Sequence, residues 1–389
     1  MIGLINGKIV GEDRVIEGAV ALLDGGVIQD IAPAGAAPPG TELIDARGGY
    51  IAPGLIDIHT DYCEQIIQPR ATSVMDLGLA FRQLERVLAG QGITTAYHSL
   101  SLLNGATQKI KAVRSLELVS RIASYIEEKR GDKGLIRHRL HVRVELDNPD
   151  CLNTVADWLE KGWVDEISFM DHTPGQGQYR DLAIYKESTM GYMELESEAE
   201  YEKWLGRQSG KAMLSPERVG YLIRLAQRRR IPVASHDDDT TAKIDFLVEM
   251  GIRVSEFPIT LEVARYAAAR DVQTVLGAPN ILLGGSHSGN LSAEQAILAG
   301  AGSVLCSDYY PAGLLCGVFL LHQRNRLPLP DCFRLVSLNP ARAVGIDGQY
   351  GSVTPGKKAD ILIIQAGEWP WITDVFTDGR RVLRCEKAG

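Results

Sequence analysis

The chain has 389 residues, 45% of them hydrophobic and 23% charged. This is a globular composition, long enough for one large domain or two ordinary ones around a substantial core. The net charge of −8 supplies no global field for nucleic acid or anionic lipid, so an anionic ligand needs a local cluster of basic groups.

Residues 1–50 are rich in glycine, with short alternating runs: "LINGKIV", "GAVALLDGGVIQDIA" and "GTELIDARGGYI". They predict small β-strands joined by tight turns. The first residues contain no apolar stretch of the signal-peptide kind, and no apolar run approaches the roughly 20 residues that span a bilayer. A cytoplasmic location without membrane contact is therefore expected. The body of the chain then alternates short apolar runs with amphipathic stretches. Its strand candidates are "GLIDIHT", "GITTAYHSL", "RLHVRVEL", "VDEISFMD", "IPVASHDD", "IRVSEFP", "VQTVLGAPN" and "GSVLCSD". Helix candidates lie between them, such as "AVRSLELVSRIASYIEEKR", "PERVGYLIRLAQRRR" and "TLEVARYAAARD". Eight strands alternating with helices predict an α/β chain, a TIM-like (β/α)₈ barrel, with a doubly wound open sheet as the alternative. The run "AGLLCGVFLL" reads as a buried helix. The last segments, "GSVTPGKKADILIIQ" and "ITDVFTDGRRVLR", look like the N-terminal ones. Residues 1–52 and 346–389 are thus expected to form one small β-sandwich domain, with 53–345 as the barrel. The six cysteines are scattered without a C-x-x-C pair and read as reduced thiols.

Polar residues collect at the C-terminal ends of the predicted strands, where a barrel has its active-site mouth. His59 and Asp61 follow the first, and their spacing along a strand sends them to one face. Glu145 closes the third, Asp171 and His172 follow the fourth, His236 to Asp239 the fifth, and Asp308 the eighth. Each has an ordinary explanation as a cap, an ion pair or a loop residue. Together, imidazoles and carboxylates converging from separate strands are what a divalent metal needs. The stretch 170–192, with Arg180 and Lys186, reads as a lid over the mouth or a solvated insertion. The glycine-rich loop with Ser286, His287 and Ser288 offers backbone amides to a phosphate, and Arg70 lies near the first strand end. Arg137, Arg139 and Arg143 are expected at the surface or the barrel bottom. His98, His138, His141 and His322 read as structural.

These motifs resemble the amidohydrolase superfamily, through "PGLIDIHTD", "GITT" and the C-terminal "NPARAVGIDGQYGSVTPGKKADILII". Within it, "HTDxxE", "MDHTPGQ", "SHDD", "EFP.T.E.A", "GAPN…GGSHSGN" and "CSDYYPAGLL" resemble the PhnM family, the α-D-ribose 1-methylphosphonate 5-triphosphate diphosphatases of phosphonate breakdown. The resemblance implies hydrolysis of the 5-triphosphate with release of pyrophosphate. It implies one or two divalent metal ions, zinc first and Mn²⁺ or Fe²⁺ as alternatives. The implied ligands are His59, Asp61, Glu145, His172, His236 and Asp308, with Asp308 also the proton shuttle. Arg70, Arg180, Lys186, Ser286, His287 and Ser288 would meet a phosphorylated sugar. Nucleic acid and membrane are not expected partners, and homo-oligomerisation stays open. Leu283 stands where relatives carry a basic residue. The strand count also disagrees with the superfamily template, which puts the carboxylate on strand four and the histidine on strand six. A missed strand between about 100 and 140, or a false one near 253–278, is therefore expected. Rival readings are cyclic-amide hydrolysis, deamination, or a metal-free scaffold.

Overall fold

A computed structural model gives the architecture and describes residues 1–103, 112–171, 186, 190, 197–208, 212–285 and 291–386. Eight parallel strands pair in sequence order: β1 (Leu55–Thr60), β2 (Ile93–Leu102), β3 (Arg137–Glu145), β4 (Glu166–Met170), β5 (Val233–His236), β6 (Val254–Glu256), β7 (Gln273–Gly277) and β8 (Val304–Cys306). A parallel bridge between Thr60 and Asp308 closes the ring. There the Asp61 amide donates to the Asp308 carbonyl at 3.0 Å, and the Asp308 amide to the His59 carbonyl at 3.1 Å. Ser307 reinforces the seam, its amide donating to Asp57 Oδ1 at 3.0 Å and its hydroxyl to Asp57 Oδ2 at 2.5 Å.

These are the eight strands expected from the sequence. The anticipated miscount is corrected: no further strand lies among the described residues between 100 and 140, and β6 and β7 both pair in the barrel. Glu145 ends the third strand and His236 the fifth.

The strands form where the chain is β-branched and apolar, because a parallel sheet covered by helices is buried on both faces. All ten residues of β2 are buried. Ser and Thr start several covering helices: Ser115, Ser215, Thr240 and Thr260 each accept a hydrogen bond from the amide three residues on. Among the described residues no helix is long and apolar enough to cross a membrane.

Both termini build two further sheets. One has four strands, all from the first 45 residues, and the other has six. In the six-stranded sheet Tyr50–Pro53 pairs antiparallel with Ile361–Gln365, which joins the two ends of the chain. Leu4 and Leu23 from one sheet share a core with Ile9, Ile51, Ile361 and Phe376 from the other. The passage into β1 is tight. A Cβ at Gly54 would lie 2.4 Å from Thr94 Oγ1, so only glycine lets the chain pass β2 there.

Candidate active site

Strand β3 positions most of the interior chemistry. Its alternation puts Leu140, Val142 and Val144 in the cluster beneath the helices. Arg139, His141, Arg143 and Glu145 therefore face inward, climbing from the closed end to the mouth. In β1 a bulge between Asp57 and Thr60 breaks the alternation. Ile58 joins the apolar interior cluster, and His59 still reaches across the barrel to β6. His59 Nδ1 lies 2.7 Å from Glu256 Oε1, with both side chains almost fully buried.

Just beyond the strand ends the backbone takes left-handed conformations at three non-glycine residues: Asp237 (φ 56°), Phe257 (φ 52°) and Asp308 (φ 55°). Such conformations are costly for a bulky residue and cluster at functional sites. Phe257 thereby lays its ring 5.0 Å from both His59 and His236. The two imidazoles are 5.5 Å apart.

His59, His236 and Glu256 each offer an atom within 4.8 Å of the others. Glu256 Oε2 is buried without a hydrogen-bond partner. Burial, aided by the charges of Arg143 and His236, holds His59 well below the usual imidazole range, so its ring is neutral, the form that ligates metals. An orphaned carboxylate oxygen beside a neutral imidazole fits a divalent cation. When bound, such an ion supplies Lewis acidity and a water acidic enough to ionise near neutrality. In a deeper group, His141, Glu166 and Glu256 also offer atoms within 4.8 Å of one another. There His141 Nδ1 faces the Ile58 carbonyl at 3.2 Å and Nε2 the Ser168 hydroxyl at 2.8 Å. Nδ1 also lies 3.0 Å from the Ser99 hydroxyl. Burial pushes His141 down to about 3.

Asp308 lies at the seam. Burial, with Asp61 adding to it, pushes its carboxyl up to about 7. A group titrating there can hold or release a proton at neutral pH. Asp61 is 3.5 Å from Arg114, which also clasps Glu64 through Nε at 2.8 Å.

Of the expected ligands, the structure brings His59 and His236 together. Asp61, Glu145 and Asp308 place no atom in either compact group, although Asp61 and Asp308 are backbone-bonded neighbours and Glu145 is buried at the end of β3. His172, Arg180, Ser286, His287 and Ser288 lie outside the described residues. Arg70 is exposed. Lys186 is ion-paired with Glu198 and sits 5.5 Å from the Tyr201 ring centre. Leu283 is 65% exposed at the end of Pro279–Leu283.

The sequence reading missed Glu256 and misplaced Arg143. Arg137 and Arg139 do sit at the closed end, on Asp360 and Asp165 respectively. Arg143 is corrected: it is buried inside the barrel, close enough to influence His59, Glu64, His141 and Asp308. The signal was the strict alternation "RLHVRVE", which separates a polar row from an apolar one; the helices packed over the apolar row turn the polar one to the interior.

Residues 212–382 match the Amidohydrolase family model. Over 388 residues the chain is 32% identical to the alpha-D-ribose 1-methylphosphonate 5-triphosphate diphosphatase of Escherichia coli (strain K12), covering 97% of this chain and 99% of that one. The chain belongs to the amidohydrolase superfamily. This amidohydrolase is also 26% identical over 377 residues to the imidazolonepropionase of Deinococcus radiodurans, covering 93% of this chain and 89% of that one. Its fold matches the N-isopropylammelide isopropylaminohydrolase of Burkholderia multivorans with a TM-score of 0.65 at 19% identity, over 99% of both chains.

Proposed function

We propose that this amidohydrolase hydrolyses α-D-ribose 1-methylphosphonate 5-triphosphate, releasing pyrophosphate and leaving the 5-monophosphate. The end-to-end similarity to the E. coli diphosphatase carries this reading. The donor set supports it, since His59, His236 and Glu256 would hold a divalent ion. Asp61, Glu145, His172 and Asp308 complete the proposed ligands, and zinc is the first candidate ion.

The chain's own residues then divide the work. Asp308, at the seam of the barrel mouth, takes the proton from the attacking water. Glu256 holds His59 by its Nδ1, which leaves Nε2 for the ion. Phe257 packs on both imidazoles and keeps water off them. Arg70, Arg180, Lys186, Ser286, His287 and Ser288 are the proposed contacts to the sugar triphosphate.

Phosphorus NMR of the products, with defined metal ions added, tests the reading. Stoichiometric pyrophosphate is the expected result. Orthophosphate alone, or hydrolysis of cyclic amides with the triphosphate untouched, would overturn it.

A further inference from the structure

Among the described residues, Arg143 is the one arginine of the barrel that is buried without a carboxylate partner. Its side chain is only 9% exposed. Its one hydrogen bond to a described residue runs from Nε to the Met170 thioether at 3.1 Å, and sulfur is a weak acceptor. No described carboxylate lies within ion-pair distance of it. Arg114, Arg130, Arg137 and Arg139, by contrast, are all held by carboxylates. Neither terminal nitrogen of Arg143 bonds a described residue, so the guanidinium fork has no partner among them. A buried guanidinium is costly in a fold unless something anionic meets it.

Its surroundings say where that anion sits. Arg143 lies two residues below Glu145 on the inward face of β3, in register with Ser168 of β4. His141, the next inward residue below it on β3, lies edge-on 5.2 Å from the His59 ring. Arg143 therefore lies one inward step above the histidine that packs on His59, and below Glu145 at the mouth.

We infer that Arg143 is an anion-binding residue inside the barrel mouth, its fork taking two oxygens of a phosphoryl group next to the His59–His236–Glu256 group. The identity of the anion rests on the triphosphate reading; the existence of an anion site rests on the geometry of Arg143. Two parallel N–H donors match two phosphoryl oxygens. At that depth the group bound is the one that reacts, not a distal phosphate. Charge developing on its oxygens strengthens the contact in the transition state, so Arg143 acts on turnover more than on ground-state binding.

The test uses the metal-loaded enzyme and the variants Arg143→Met, Arg143→Lys and Arg143→Ala, each checked for native circular dichroism and metal content. Inorganic phosphate is the probe, its affinity read by calorimetry and by inhibition. Arg143→Met should bind phosphate at least about tenfold more weakly, the equivalent of one lost charge-assisted hydrogen bond. Arg143→Lys, which keeps the charge and loses the fork, should fall between. With the triphosphate substrate, kcat of Arg143→Met should drop about 10²-fold or more while KM moves much less. Millimolar guanidinium should restore part of the activity of Arg143→Ala, which a purely structural role would not allow. Unchanged phosphate affinity in a folded, metal-loaded Arg143→Met, or in Arg143→Lys should the former not fold, would overturn the inference. If the wild type releases no pyrophosphate, the proposed function fails, and the phosphate measurements still decide the role of Arg143.

Discussion

Replacing Arg137 by alanine should loosen the terminal sheets from the closed end of the barrel. Arg137 Nη2 lies 3.0 Å from Asp360 Oδ1 and 2.7 Å from Asp378 Oδ1, and Nη1 bonds the second Asp360 oxygen. The guanidinium also lies 4.5 Å from the Tyr350 ring centre. Asp360 is only 5% exposed, so the variant leaves a buried carboxylate without its counter-ion. Breaking such a pair from one side costs about 3–5 kcal/mol. Asp360 keeps one backbone hydrogen bond, from the Asp378 amide, and Asp378 is 39% exposed; both favour the lower end, about 3 kcal/mol. Urea unfolding followed by tryptophan fluorescence reads the loss. Most of it comes from the stranded charge, so adding Asp360→Asn should recover about 1 kcal/mol or more. Turnover should stay within about twofold, because Arg137 lies roughly 26 Å along β3 from Glu145 at the mouth. A single-variant loss below about 0.5 kcal/mol, or a double variant no more stable than the single one, would refute the reasoning.

Three further outcomes are expected. Asp308→Asn should keep the fold, since asparagine tolerates the left-handed backbone at that position, and should lose about 10²–10⁴-fold in turnover; near-native rates would remove its proton-transfer role. Glu256→Gln should weaken metal binding about tenfold or more, read by elemental analysis after dialysis against a graded chelator, and unchanged metal content would exclude Glu256 as a ligand. Burial, with His138 beside it, holds His98 well below the ordinary imidazole range. Its folded form thus binds fewer protons than its unfolded form, so its stabilising contribution is present above about pH 6.5 and is lost as pH falls below that. His98→Gln should therefore flatten the acid side of the stability curve by up to about 1.4 kcal/mol per pH unit, measured as urea midpoints at pH 7.5 and 5.5; an equally steep slope in the variant would contradict the assignment.

The strand pattern was legible because parallel strands buried on both faces leave continuous apolar runs, and all eight runs became barrel strands. The doubtful count came from trusting a template over those runs. His59 and His236 were legible as polar residues closing apolar strands, where barrels place their mouths. Glu256 was not, although it occupies an equivalent position in "VSEFP". Its neighbour Phe257 made the segment read as the end of an apolar run, whereas Glu256 is the last strand residue, two after the interior Val254, and meets His59 across the barrel.

Arg143 and His141 show the limit from the other side. Their alternation with Leu140, Val142 and Val144 is written in the sequence, and it decides that the five residues divide between two faces. It does not decide which face is the barrel interior. That depends on helices packing over the apolar row, which turns the polar row toward β1, β4 and β6. Local periodicity thus determined the elements, their order and the ends at which chemistry collects. Closure of the ring through Thr60 and Asp308 determined which side chains meet, because contacts such as His59 with Glu256, 197 residues apart, depend on β1 and β6 facing each other across the barrel rather than on any spacing along the chain.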